Sequence, residues 1–497
     1  MKRETFGSRI GFILVSAGCA IGIGNVWKFP YLCGEYGGAA FILIYLIFLL
    51  IMGIPVLVCE FSIGRASRFS VAASFEKLEP QGTRWHWTKW IGIAGSYLLM
   101  MFYTTVGGWL MYYCVKSVRG DFRGADTEQV TAAFSDVMGN MPVMMFWTIL
   151  ICVVGFAVCI FGIQKGIERA SKFMMSILLV LMVVLAVHSV FMEGAGEGIR
   201  FYLVPDFAKM AEQGIGNVIF AALSQSFFTL SIGIGAMMIF GSYMPKERTL
   251  LGEAVSITAL DTSVALTAGF IIIPACFAFG IEPGSGPSLI FITIPNIFAQ
   301  IPGGALWGGL FFLFLTFAAF TTVVAVFENI ISFDMDLFGW SRNRSVAVSA
   351  VLIILLSVPC VLGFNVLAGF QPLGEGSTIM DLEDFIVSNN LLPLGSLGYV
   401  LFCTRKNGWG WENFLAEANT GKGPHFPKGL KNYVAYGIPL IIMVIYLKGY
   451  YDKFAAQGTA ALAGWMAVAV LFLVFVIGCA LAGGGRGHGG QTVDSGN

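Results

Sequence analysis

Ala17-Gly18-Cys19-Ala20-Ile21-Gly22-Ile23-Gly24-Asn25 lies within an apolar stretch, and its core returns later as Ile232-Gly233-Ile234-Gly235. A glycine inside a helix costs about 1 kcal/mol relative to alanine, so two of them spaced by one residue predict a break. In a bilayer, unwound backbone persists only where it is buried in protein or lines a cavity. A single motif of this kind also suits close helix packing through small residues. Its recurrence at a matching place in the second half of the chain instead marks two broken spans around a binding site at the membrane midplane.

The surrounding composition agrees with a membrane setting. Of 497 residues, 57% are hydrophobic and only 12% are charged, which excludes an ordinary soluble enzyme. The run from Ala40 to Cys59 carries no charge before Glu60 and is long enough to cross about 30 Å of hydrocarbon as a helix. Twelve such spans are predicted, at roughly 9–34, 38–64, 88–117, 142–161, 165–191, 214–243, 250–280, 305–338, 344–364, 377–404, 433–450 and 459–483. They form one transmembrane domain over residues 1–497. Lys2, Arg3 and Arg9 precede a span with no small-residue cleavage site, so no cleavable signal is expected. The Gly-rich end, Gly483 to Gly490, reads as disordered.

Charge sets the orientation. The N-terminal tail, the loops after even-numbered spans and the C-terminal tail hold 21 of the 29 Lys and Arg residues. The positive-inside rule therefore places both termini in the cytoplasm of a cell inner membrane. Span 1 then starts inside and span 6 outside. The halves 9–191 and 214–404 become an inverted five-plus-five repeat with broken helices 1 and 6, and 433–483 supplies two accessory helices. The net charge of zero suggests no nucleic-acid partner. The ten cysteines form no Cys-x-x-Cys pair and read as small apolar filler.

The polar residues inside these spans are few. Unwinding at the first break frees carbonyls suited to a hard cation and exposes a helix N-terminus suited to a carboxylate. Asn25 adds a side-chain oxygen beside both, and at the second break Thr229 and Ser231 add hydroxyls beside Phe228. In span 8, Ala318, Thr321 and Thr322 share a face, and Val326 extends it. The two hydroxyls suit either a cation or back-bonding to their own helix. Asp261 stands inside span 7, where a carboxylate is a functional candidate by default. Glu60, near the end of span 2, suits a structural hydrogen-bonding role.

Gly22-Ile23-Gly24-Asn25-Val26-Trp27-Lys28-Phe29-Pro30, Gly37-Gly38-Ala39-Ala40-Phe41 and Phe227-Phe228-Thr229-Leu230-Ser231 resemble the neurotransmitter:sodium symporter family. The likeness is strongest to its bacterial amino-acid transporters of the leucine-transporter fold, and it runs from Arg3 to span 12. It implies two sodium ions and no organic cofactor. One sodium would take the Ala20 and Thr229 carbonyls, the Asn25 side chain, the Thr229 hydroxyl, Asp261 and the substrate carboxylate. The other would take the Gly18, Ile21 and Ala318 carbonyls with the Thr321 and Thr322 hydroxyls.

The same resemblance implies the substrate contacts. A carboxylate would meet the Ile23 and Gly24 amides and the Tyr103 hydroxyl. An ammonium would face the Ala20, Phe228 and Thr229 carbonyls and the Ser231 hydroxyl. Leu99, Ile234, Thr322 and Val326 would line the side-chain pocket. Gly22 stands where monoamine carriers of the family place an Asp, so the substrate is expected to bring its own carboxylate. A neutral, hydrophobic or aromatic α-amino acid fits. Asp261 replaces a common Asn, and Ala265 lacks the hydroxyl that chloride-dependent relatives use. Transport is therefore expected to be chloride-independent, although Tyr45 and Gln225 match other parts of that site.

For the gates, the resemblance pairs Lys28 with Asp384 on the outside, above a Tyr103–Phe228 lid. Lys provides no planar fork for a bidentate bond, so a weaker or water-bridged gate is expected. On the inside it pairs Arg3 with Asp336, beside Phe6 and Tyr243. The expected function is sodium-coupled import of an amino acid by alternating access, in a monomer or weak dimer, with no enzymatic activity. The alternatives are the same fold driven by protons, with Asp261 as carrier, or an amino-acid sensor that does not transport.

Overall fold

Both Ile-Gly-Ile-Gly motifs are places where the chain leaves helical geometry. The computed structural model describes residues 4–281 and 289–482, so the expectations for Arg3 and for the Gly-rich end lie outside the described residues. The protein is an all-α polytopic membrane protein. Its principal helices are α1 (Arg9–Ala20), α2 (Gly24–Glu35), α3 (Ala39–Ser67), α4 (Trp85–Arg119), α5 (Met141–Ile160), α6 (Ile163–Val190), α7 (Ile215–Thr229), α8 (Ala236–Tyr243), α9 (Leu250–Ala278), α10 (Gly304–Phe338), α11 (Arg342–Leu362), α12 (Ile379–Thr404), α13 (Lys428–Gln457) and α14 (Thr459–Leu481). By length and composition ten of these can cross a membrane, and the bent pair α1–α2 makes an eleventh. The stretch expected as the broken span 6 consists of two shorter helices, α7 of 15 residues and α8 of 8, separated by residues 230–235.

Each break has a local cause. At the first, Ile21 is extended (φ −67°, ψ 101°) and α2 continues after a 58° bend. At the second, Gly233 and Gly235 hold φ of 102° and 81°, and Ser231 holds φ 50°. Positive φ is open to glycine and uncommon for other residues, so Gly233 and Gly235 account for the path of the second break. Glu60, fully buried on α3, accepts hydrogen bonds from the Gly233 (2.9 Å), Met237 (3.1 Å) and Met238 (3.3 Å) amides. It thereby satisfies the donors that the start of α8 leaves open, the structural role its place in the sequence suggested. Gly64 makes that proximity possible, since a Cβ there would lie 1.9 Å from the Met238 carbonyl oxygen.

Several short helices decorate the ends, among them Thr127–Gly139, Ala195–Leu203 and Trp411–Ala418. The last belongs to the 405–431 segment that follows α12. Its Glu417 meets the fully buried Arg65 of α3 at 2.6 Å and Lys246 at 3.2 Å. Lys422 adds backbone bonds to Glu247 and Thr249. The segment thus knits the end of α3 to the α8–α9 turn. All ten cysteines are free; nine are buried, and Cys114 is partly exposed.

Candidate functional site

Asn25, Thr229 and Asp261 come together from α2, α7 and α9, each with no exposure. Asn25 Nδ2 donates to Asp261 Oδ1 at 2.8 Å and to Thr229 Oγ1 at 3.0 Å. Thr229 Oγ1 donates to Asp261 Oδ2 at 2.9 Å, and the Gly22 amide donates to Asn25 Oδ1 at 3.2 Å. The Tyr45 hydroxyl reaches Thr229 Oγ1 at 3.4 Å, and Gln225 Nε2 donates to the Gly24 carbonyl at 3.0 Å. A buried carboxylate is costly unless neighbouring groups compensate it. Here two neutral donors do so, and no Lys or Arg pairs with Asp261 among the described residues.

A second oxygen cluster forms where α10 crosses the first break. Thr322 Oγ1 lies 3.4 Å from the Gly18 carbonyl, 3.3 Å from Cys19, 3.2 Å from Ile21 and 3.4 Å from Ala318. One hydroxyl has one proton to give, so acceptors outnumber the donor. Thr321 Oγ1 is bonded to the Ala318 and Phe317 carbonyls, at 3.0 and 3.1 Å, and its Cβ lies 3.2 Å from where a Gly18 Cβ would stand. The carbonyls, hydroxyls and one carboxylate of the two clusters are hard oxygen donors. That chemistry fits a small hard cation and not a thiolate- or imidazole-bound metal.

Between the clusters lies a cavity of about 20 Å³, lined by Ala20, Gly22, Gly24, Leu99, Tyr103, Phe228, Ser231, Ile234, Thr322, Val387 and Leu392. That is room for about one water. The Ile23 amide donates to the Tyr103 hydroxyl at 3.0 Å, and Ser231 Oγ donates to the Cys19 carbonyl at 3.2 Å. A Cβ on Gly22 would sit 2.3 Å from the Tyr103 oxygen and 2.8 Å from Thr322 Oγ1. Val326 is fully buried one turn beyond Thr322 and stands outside this lining. Val387 and Leu392 of α12, which sequence reasoning missed, are part of it.

Tyr103 and Phe228 also form the floor of a larger cavity of about 280 Å³, whose walls include Trp27, Lys28, Tyr31, Asp381 and Asp384. Lys28 and Asp384 face this vestibule without forming an ion pair. The Lys28 ammonium lies 4.1 Å from the centre of the Phe228 ring, a cation–π distance. Asp384 accepts from Ser388 Oγ at 2.7 Å. Lys28 thus rests on the Phe228 ring in place of a direct pair with Asp384.

The opposite end is packed shut. The Phe6 ring meets Tyr243 edge-on at 6.0 Å and Phe12 at 5.5 Å. The Tyr243 hydroxyl donates to Glu328 at 2.6 Å, and the buried Glu328 pairs with Arg342. Sequence reasoning named Phe6 and Tyr243 here but not Glu328 or Arg342, which lie 85 residues or more away along the chain. Asp336 Oδ2 accepts from the Ser70 amide at 2.7 Å.

Known proteins resemble this chain in both sequence and structure. The family model described as "SNF: Sodium:neurotransmitter symporter family" matches residues 3–132 and 129–380. An uncharacterized sodium-dependent transporter of Bacillus subtilis (strain 168), YhdH, is 36% identical over 90% of this chain and 97% of its own length. One from Haemophilus influenzae is 33% identical, covering 90% and 98%. Among solved structures, MhsT in complex with L-phenylalanine matches with a TM-score of 0.81 and 38% identity, covering 90% of this chain and all of that one.

Proposed function

The chain belongs to the sodium:neurotransmitter symporter family, whose relatives here are sodium-dependent transporters and not enzymes, and from that premise we propose that it imports a neutral, hydrophobic or aromatic α-amino acid. The observation that carries this reading is the crowding of carbonyls from Gly18, Cys19, Ile21 and Ala318 around the single Thr322 hydroxyl, directly beside the cavity. Freed carbonyls at an unwound helix are the oxygen set a coupling sodium needs. Asn25, Thr229 and Asp261 supply a second set, so two sodium ions accompany each substrate. Ala20 contributes a carbonyl to the first site and to the substrate ammonium, and Thr321 contributes a hydroxyl to the second.

Gly22 supports an amino acid over a bare amine. No side chain fits at that position, so the anion that partners the ammonium comes with the substrate, against the Ile23 and Gly24 amides and Tyr103. The lining by Leu99, Phe228, Ile234, Val387 and Leu392 supports an apolar side chain. L-phenylalanine bound to MhsT supports the same class. Asp261 supports chloride independence, since its fixed charge does beside the first ion what a bound anion does elsewhere.

Alternating access follows from the two ends. The Lys28–Asp384 vestibule faces outside and the Phe6–Tyr243 end faces the cytoplasm with both termini, in the inverted repeat of 9–191 and 214–404. Substrate and sodium enter past the Tyr103–Phe228 lid, and release requires the inner aromatic cluster to part. The test is uptake into proteoliposomes with all twenty amino acids at fixed membrane potential. Sodium-driven accumulation of a few apolar ones, unchanged when gluconate replaces chloride, is expected. Uptake that follows a proton gradient without sodium would transfer the coupling role to Asp261, and binding without accumulation would make the protein a sensor.

A further inference from the structure

α12 enters the site through a local defect in its winding. Residues Val387–Leu391 form a π turn closed by the Leu392 amide donating to the Val387 carbonyl. In an α-helix of 3.6 residues per turn, positions five apart stand about 140° apart around the axis and cannot line one small cavity together. The wider turn brings Val387 and Leu392 onto one face, and both border the central cavity. Pro393 explains why the turn widens here: it has no amide proton, and its ring would collide with the carbonyl four residues back.

Two further contacts fix this face. Asn390 donates to the Phe385 carbonyl at 3.3 Å and accepts from the Tyr446 and Tyr450 hydroxyls of α13, at 3.1 and 2.5 Å. On the cavity side, α12 rests directly on the second break. A Cβ on Gly233 would lie 2.2 Å from the Leu392 carbonyl oxygen, and one on Gly395 would lie 1.8 Å from the Gly233 carbonyl oxygen. Backbone meets backbone there, so the wall has little room to yield. Val387 is fully buried and Leu392 is 3% exposed.

We infer that α12 forms the wall that limits substrate size, with Val387 and Leu392 as specificity-determining residues. This rests on the amino-acid reading above. A π turn is a frequent companion of functional sites, and its effect here is specific: it turns two aliphatic side chains toward the space that the substrate side chain must occupy. Ser388 and Asn389 of the same turn border a different cavity, against Phe220, Phe227 and Tyr446.

The experiment measures competition by L-tryptophan and by L-valine against whichever amino acid the wild-type protein accumulates in proteoliposomes. Val387→Ala, which removes two methyl groups, is expected to raise the tryptophan-to-valine potency ratio roughly tenfold or more and Val387→Ile, which adds one carbon, to lower it roughly tenfold, the scale of such changes in a tight apolar pocket. Asn389→Ala leaves the ratio unchanged. Should Val387→Ala abolish uptake, Val387→Ile and Leu392→Ala carry the test, moving the ratio down and up respectively. Uptake with a ratio that stays within about twofold of wild type in the active variants overturns this inference alone. Failure of the wild-type protein to accumulate any amino acid overturns the amino-acid reading and this inference with it.

Discussion

At Gly22 one hydrogen atom in place of a methyl group keeps the first break usable. A Cβ would press on both the Tyr103 oxygen and Thr322 Oγ1, the two groups that flank the substrate carboxylate and the coupling ion in the function proposed above. Overpacking of this kind costs about 1–3 kcal/mol. Gly22→Ala is therefore expected to lower sodium-dependent uptake about tenfold or more, while the amount of folded protein, read by size-exclusion chromatography, changes little. Asp261→Asn removes the fixed charge but keeps the shape. Its uptake should fall in gluconate and recover in part when chloride is restored, whereas no difference is expected of the wild-type protein. Residue types made these positions legible: glycines where side chains cannot fit, and a carboxylate in an apolar span. The Lys28 contact was not legible, because the choice between Asp384 and the face of Phe228 depends on where two distant helices place their side chains.

Helices show the same division. The breaks could be read from the sequence because glycine pairs are locally costly, and the long spans could be read because twenty apolar residues have few alternatives. The cavity-facing side of α12 could not. A regular helical period puts Val387 and Leu392 on different faces, and only the π turn ahead of Pro393 reunites them. The short end helices carry mixed polar faces, which a reading based on long apolar spans passes over, although the Asp126–Gln129 capping box marks one of them. Glu60 gives an element-scale prediction. It accepts three amides at the second break and the start of α8, and buried donors left without a partner cost roughly 1–3 kcal/mol each. Glu60→Ala should lower the unfolding temperature in detergent and loosen the second break, so that the protection against heating expected from sodium in the wild-type protein is lost.

Across the whole molecule, one end offers a vestibule of about 280 Å³ and the other is closed by aromatic packing and the Glu328–Arg342 pair. The closed end is reinforced by the 405–431 segment, invisible to sequence reasoning because Arg65 and Glu417 meet only in the folded chain. Breaking a buried ion pair from one side costs about 3–5 kcal/mol. Glu417→Ala, which strands Arg65, should therefore destabilise more than the paired replacement Arg65→Met with Glu417→Leu, as measured by thermal unfolding. Finally, the distribution of thiols makes the chain nearly its own blank for chemical labelling. Nine of the ten cysteines are withdrawn from water, so replacing Cys114 leaves a background inert to aqueous maleimides. A cysteine introduced at Met380, on the vestibule wall, then reacts alone, and its modification rate becomes a clock for how long the transporter dwells with that mouth open.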